Sequence, residues 1–182
     1  MAEDMVVRYC APTLAGIKTG GLFSCPFQDI RSLRVWLRQI NRRLAPKGVR
    51  VLSLRYSRGR ALIYVYRPGM LCRDLKETAA VRLLSERGYD CESHGCCIAR
   101  LTKMLSGSEP FPHEIGLFLG YPPEDVRGFI ENKTPCKCTG CWKVYGDVDS
   151  ARITFAAYKN CTEAYCSRFA DGSTLDDLAV AI

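Results

Sequence analysis

No run of about 18 uninterrupted apolar residues occurs in this 182-residue chain, so no transmembrane helix is expected. The opening MAEDMVVRYC carries acids early and has no signal-peptide core, so export is not expected either. Internal repeats and low-complexity tracts are absent. A phosphate loop is missing: Gly16-Ile-Lys18-Thr19-Gly20-Gly21 holds the right residue types, but its paired glycines follow the lysine instead of preceding it. A zinc-protease motif is missing too, because the His113-Glu114 pair has Leu, not His, at 117. From Arg31 to Arg67 there is not one acid among eleven Lys/Arg, although the whole chain is only +7. Within that basic stretch no RRM, KH or helix-turn-helix signature appears.

What is present is led by cysteine. Eleven of them in a chain of this length do not describe a disulfide scaffold: the number is odd, the chain is not small and no secretion signal is evident. A reducing cytosol, and an anaerobic one, suits so many thiols. Apolar content of 47% is ordinary for a globular protein, and the length suits a single domain over 1–182.

The stretch from Phe111 to Tyr145 organises the rest. Pro112 suits a first helical position, Ile115, Phe118 and Leu119 form an apolar face, and Gly120 is a left-handed stop. Pro122-Pro123 restarts the chain with Glu124 and Asp125 in a new first turn and Val126, Phe129 and Ile130 as the buried face. Cys136-x-Cys138-x2-Cys141 follows, three thiols within six residues on a loop that can converge on one soft metal, iron or zinc. The spacing is neither a zinc knuckle nor a ferredoxin run. A fourth ligand would come from His113, Cys161 or Cys91, and the alternative is a set of reduced thiols packed as small hydrophobes.

Elsewhere residues 8–27 read as an irregular entry containing a short strand-like Leu22-Phe23-Ser24. A helix from Asp29 to Leu44 buries Ile30, Leu33, Leu37, Ile40 and Leu44 and carries Arg31, Arg34, Arg38 and Arg42 as a basic ridge. Arg50–Tyr56 and Ala61–Tyr66 alternate as a hairpin with a basic tip. Asp74-x-x-Glu77 is a capping box opening a helix with Leu71, Leu75, Ala79 and Leu83 on one face, stopped by Gly88. Another helix starts near Ser93, where Cys91, His94 and Cys96 or Cys97 make a second candidate cluster. Trp142–Tyr145 reads as a strand, Ala151 to Phe169 as a long amphipathic helix, and Leu175, Leu178 and Ile182 as a tail helix. The expected class is α+β: a small, mainly antiparallel sheet, from the hairpin at 50–66 and a strand near 142–145, with several packed helices.

Three segments together resemble an uncharacterised family, a domain of unknown function, of small cytosolic proteins from anaerobic Gram-positive bacteria. They are Cys10-Ala-Pro-Thr-Leu-Ala-Gly-Ile-Lys18 with Leu22-Phe23, Pro112–Pro122 with Glu124-Asp125-Val126, and Cys141-Trp-Lys-Val-Tyr145. The resemblance runs from about Arg8 to Phe169 and implies no activity.

Three functions compete. The first is binding or handling of a soft metal through Cys136, Cys138 and Cys141. The second is an enzyme on a small anionic substrate, with His113 or Glu114 as acid/base, Cys10 as nucleophile, and Lys18, Tyr121, Trp142 and Lys143 as ligand-binding residues. The third is an adaptor for nucleic acid or another anionic partner through the basic 31–67 face. Lys18, His113, Tyr121 and Trp142 meeting in one pocket would favour a ligand site or an enzyme.

Overall fold

The computed structural model describes residues 2–90, 93–107 and 110–182. Its contacts divide the chain into two compact units, one made of the residues up to Gly69 with Asn160–Ile182, the other of Met70–Lys159.

In the first unit α1 (Ala2–Leu14) leads into β1 (Gly20–Pro26), α2 (Ile30–Leu44), a 3-10 turn at Ala45–Lys47, β2 (Arg50–Ser57) and β3 (Arg60–Tyr66). The C-terminal part of α8 (Val148–Ala170) and the short α9 (Leu175–Leu178) complete it. The sheet runs β1-β3-β2, antiparallel throughout, so β3 is paired on both edges. Its sequence, RALIYVY, is rich in the β-branched and aromatic residues that pack on a pleated surface. Ala61, Ile63 and Val65 face the same way along β3 and join Phe23, Cys25 and Val51 from its neighbours. Val6, Cys10 and Leu14 of α1 and Leu33, Ile40 and Leu44 of α2 close that core.

Two local expectations change here. Residues 8–14, read as irregular, are the second half of α1: Val6, Val7, Cys10 and Leu14 recur at helical spacing, and burying that stripe outweighs the one hydrogen bond that Pro12 cannot donate. The sheet's third strand is β1, which contains the expected Leu22-Phe23-Ser24. In α2, Asp29 and Ser32 form a reciprocal capping box, Ser32 N donating to Asp29 Oδ1 at 2.7 Å. Leu33, Ile40 and Leu44 are buried as expected, Leu37 packs partly, and Ile30, in the first turn, is exposed.

Arg67 is the least expected core residue, 1% exposed at the end of β3. It donates to the carbonyls of Thr13 (2.6 Å), Leu14 (2.6 Å), Lys47 (3.1 Å) and Val180 (2.7 Å). One guanidinium thereby satisfies carbonyls from the end of α1, the 3-10 turn and the C-terminal segment, which no intrahelical donor reaches. Burial without a carboxylate partner lowers its pKa.

The second unit holds most of α3 (Pro68–Asp74), α4 (Thr78–Glu86), α5 (His94–Ser106), α6 (Ile115–Phe118), α7 (Pro123–Glu131), the hairpin β4 (Cys138–Thr139) and β5 (Lys143–Val144), and the N-terminal part of α8. The capping box expected at Asp74 and Glu77 does not form: one helix ends at Asp74 and Glu77 is itself the next N-cap residue, with no side-chain cap bond. The shift puts Ala80, Leu83 and Leu84 inside and leaves Ala79 exposed. Ser93 caps α5 as expected, accepting from Cys96 N at 3.1 Å. Gly120 ends α6 at φ +76, and Arg127 of α7 pairs with Glu86 of α4. The strand expected near 142–145 makes its own hairpin with β4, while the class, α+β, is the one observed. Among the described residues no helix is long and apolar enough to cross a membrane.

Candidate functional site

Two prolines and two glycines shape the site before any side chain does. Pro122 and Pro123 start α7 immediately after the left-handed Gly120, so α6 and α7 form a tight corner with Tyr121 at its apex. The hairpin then returns across α7, and an aspartate holds it there. Asp125, 3% exposed in the first turn of α7, accepts from Trp142 Nε1 (2.6 Å) at one oxygen and from the backbone of Tyr145 and Gly146 (2.7 Å each) at the other. A single buried carboxylate therefore sets both the indole orientation and the turn out of β5.

With the indole so held, Trp142 stacks on Tyr121 (centroids 4.9 Å, 29°) and meets Phe155 of α8 in a T-shaped contact (4.5 Å, 77°). Gly140 permits this geometry: a Cβ there would enter the Phe155 ring. On the opposite side His113 lies edge-on to Phe129 (5.0 Å) and beside Phe111 (5.8 Å), and Lys143 Nζ sits 5.4 Å over the Phe129 ring.

These groups enclose a cavity of about 310 Å³. Its walls are Ile115, Gly116, Leu119, Val126 and Phe129 with the Tyr121–Trp142 stack, its rim carries His113 and Lys143, and Thr139 and Gly140 of the cysteine hairpin close one side. The volume falls at the small end of ordinary ligand pockets. Burial pushes the Tyr121 and Tyr158 hydroxyls up to about 12, with Cys141 nearby reinforcing both shifts, so the tyrosines in this region are neutral donors at any physiological pH.

Four of the residues expected from sequence, His113, Tyr121, Trp142 and Lys143, thus meet at one cavity. The others go elsewhere. Glu114 is 2% exposed and accepts from the Tyr89 hydroxyl at 2.9 Å, which gives it a partner in the core and no place in the cavity lining. Cys10 and Lys18 belong to the first unit. There Cys10 is fully buried, its thiol pushed up to about 12 by desolvation that the nearby Lys18 offsets only in part, and a protonated core thiol is a poor nucleophile.

Cys136 and Cys138 are half-buried and Cys141 is exposed, all three as free thiols on or beside the β4–β5 hairpin. Cys136 Sγ lies 3.6 Å from Thr139 Oγ1. Among the described residues no three His, Cys, Asp or Glu side chains are grouped so as to hold a metal ion, so the three thiols as arranged do not fit an iron or zinc centre. Cys91, a candidate fourth ligand and member of the second cluster, lies outside the described residues. Of that cluster's remainder, Cys97 is buried and bonded to the Asp90 carbonyl, while Cys96 is exposed.

Asp125 stands in the first turn as expected, but its role in the site, like the exposure of Phe129, is not legible from sequence. Asp125 reads there as a first-turn acid favoured by the helix dipole. Its distinguishing signal, an indole and a turn some twenty residues on, is tertiary. Phe129 reads as core from its spacing and is instead partly exposed at the cavity. The model of one family, described as a protein of unknown function (DUF3793), matches residues 6–179. No curated protein and no solved structure matches the chain.

Proposed function

The chain belongs to DUF3793, a family whose description carries no activity, and from its site we propose that it binds a small, planar, anionic ligand in the Trp142 cavity. One observation carries the reading: an aromatic stack and two cation-capable side chains, His113 and Lys143, bound the same small space. The aromatic lining, Phe129 with the Tyr121–Trp142 pair, suits a flat ring, and the rim groups suit a carboxylate or similar anion attached to it. Asp125 also lines the cavity, and its two oxygens are turned to the indole N–H and to the backbone N–H groups of Tyr145 and Gly146.

The test uses Trp36→Phe protein, which leaves Trp142 as the sole fluorophore of its kind. Titration with nicotinate should quench or shift Trp142 emission saturably, and indole-3-carboxylate, itself an indole fluorophore, should compete with nicotinate in equilibrium dialysis. Lys143→Gln should weaken the binding about tenfold, the loss of one partly desolvated charge contact. Emission unchanged to millimolar ligand, or binding indifferent to Lys143→Gln, overturns the proposal.

The thiolate reading calls for its own measurement, because Cys136, Cys138 and Cys141 sit on the hairpin that closes this cavity. A metal would have to draw the three sulfurs together and reshape that wall. Elemental analysis of anaerobically purified protein decides it. Near-stoichiometric iron or zinc, lost in Cys138→Ser and kept in Cys72→Ser, supports a metal centre; metal-free, fully folded protein rejects it.

A further inference from the structure

We infer that the exposed face of α2, with Arg50 beside it, is a docking surface for the phosphodiester backbone of a nucleic acid, independent of the cavity in the other unit. Arg31, Arg34, Arg38 and Arg42 are all exposed. At 100° per residue they fall within one stripe about 80° wide, and at 1.5 Å rise they succeed one another every ~4.5–6 Å along the axis. The opposite side of the same helix, Leu33, Ile40 and Leu44, is locked in the core, so the stripe cannot roll inward. Asn41 fixes the helix to the sheet by accepting from Val51 N (2.9 Å) and donating to Val51 O (2.6 Å), which brings β2 and Arg50 alongside. Leu37, Arg38, Asn41, Arg42, Pro46 and Arg50 line a shallow open groove there.

What makes the stripe a candidate surface is the absence of acids. No ion pair among the described residues involves Arg31, Arg34, Arg38, Arg42, Arg50, Arg55 or Arg58. Neighbouring acids of the unit are committed elsewhere: Glu3 and Asp176 clamp Arg43, which points off the stripe, Asp177 is held in the capping box with Thr174, and Asp29 caps α2. A row of like charges left unneutralised repels itself and destabilises the folded state unless a polyanion covers it.

Three features select nucleic acid among polyanions. Every member of the row is Arg, whose planar fork matches a phosphate bidentately. The row repeats regularly every ~4.5–6 Å, an interval that a strand of phosphates can follow. An anionic membrane would call for apolar side chains beside the charges, and α2 offers only Ile30 and Val35 as exposed large hydrophobics. Trp36 is tilted against Phe27 in the core rather than free to stack on a base. Binding through the row is therefore backbone-directed and indifferent to sequence.

Fluorescence anisotropy of the full chain with labelled 20-mer duplex RNA, duplex DNA and oligo(U), between 50 and 200 mM salt, tests this. Four phosphate contacts should cost about a hundredfold in affinity over that range. Arg34→Gln/Arg38→Gln/Arg42→Gln should reduce the slope of log K against log salt by about 2–3. The charge-matched Arg87→Gln/Lys103→Gln/Arg152→Gln should leave it unchanged. Arg38→Gln alone, expected to lower the slope by about one, carries the test if the triple variant loses its fold. No binding of any nucleic acid at 50 mM salt, an equal loss in the control variant, or capture by phosphatidylserine vesicles in place of nucleic acid overturns the inference.

Discussion

Asp125 concentrates more of the site than any other side chain, because one carboxylate positions Trp142 and the exit of β5 together. Asp125→Ala leaves an indole N–H and two backbone N–H groups without their acceptor. It should lower stability by about 2–4 kcal/mol in urea titration and shift Trp142 emission to the red as the indole swings out. Tyr121 and Tyr158 give a pH signature at the same scale. Both keep their protons to about 12, against 10.0 for an unperturbed tyrosine, because burial disfavours the phenolate. The unfolded chain therefore releases these protons first. The stabilisation is complete below pH 10 and is lost as pH rises through about 12. Melting temperature should fall across that window, and more shallowly in Tyr121→Phe/Tyr158→Phe.

At the scale of elements, two short devices hold what long helices do not. The β4–β5 hairpin pairs only two residues on each strand and depends on Gly140 lying against Phe155. Gly140→Ala would force the α8 ring or the hairpin to move, with a loss of about 1–3 kcal/mol and weaker binding of indole-3-carboxylate. In the first unit Arg67 ties three chain segments by their carbonyls. Arg67→Met leaves the Lys47 and Val180 carbonyls without this donor, while Thr13 O and Leu14 O keep only the backbone N–H groups of Gly16 and Val180, and a loss of about 2–3 kcal/mol is expected in thermal or urea unfolding. The elements with strong periodic patterns, α2, the β2–β3 hairpin, α5 and α8, were legible from sequence to within about three residues, the largest difference being the start of α8 at Val148 in place of Ala151. The α3–α4 break was not, because Asp74 and Glu77 satisfy the capping-box pattern equally well whether the helix starts after them or stops at them. Nor was α1, where Pro12 and Gly16 outweighed a buried stripe visible only once β1 lies beside it.

For the molecule as a whole, cysteine and charge are the two features that composition alone announces. No disulfide joins any two of the ten cysteines described, and Cys10, Cys25 and Cys97 are buried as small core residues. Denatured protein prepared under anoxia without reductant should titrate close to the eleven thiols in the chain. In the native state Cys96 and Cys141 should alkylate first and Cys10 last, following exposure and the high pKa of the buried thiol. Stable disulfides under those conditions would contradict the arrangement.

By itself the sequence determined the α+β class, the basic row of α2 and the importance of the 111–145 stretch, because periodicity, charge and proline–glycine punctuation act locally. Tertiary structure alone decided which chemistry that stretch can do. Three cysteines within six residues look like a ligand set along the chain, yet pairing Cys138 with Val144 and Thr139 with Lys143 turns their loop into the wall of a cavity. His113 and Lys143, thirty residues apart in the chain, come to flank the same Phe129 ring. The reason is range: a helix stripe is written within a few neighbouring residues, whereas a pocket depends on which distant faces pack together, here through a buried carboxylate at Asp125 that nothing in its immediate neighbourhood distinguishes from a surface acid.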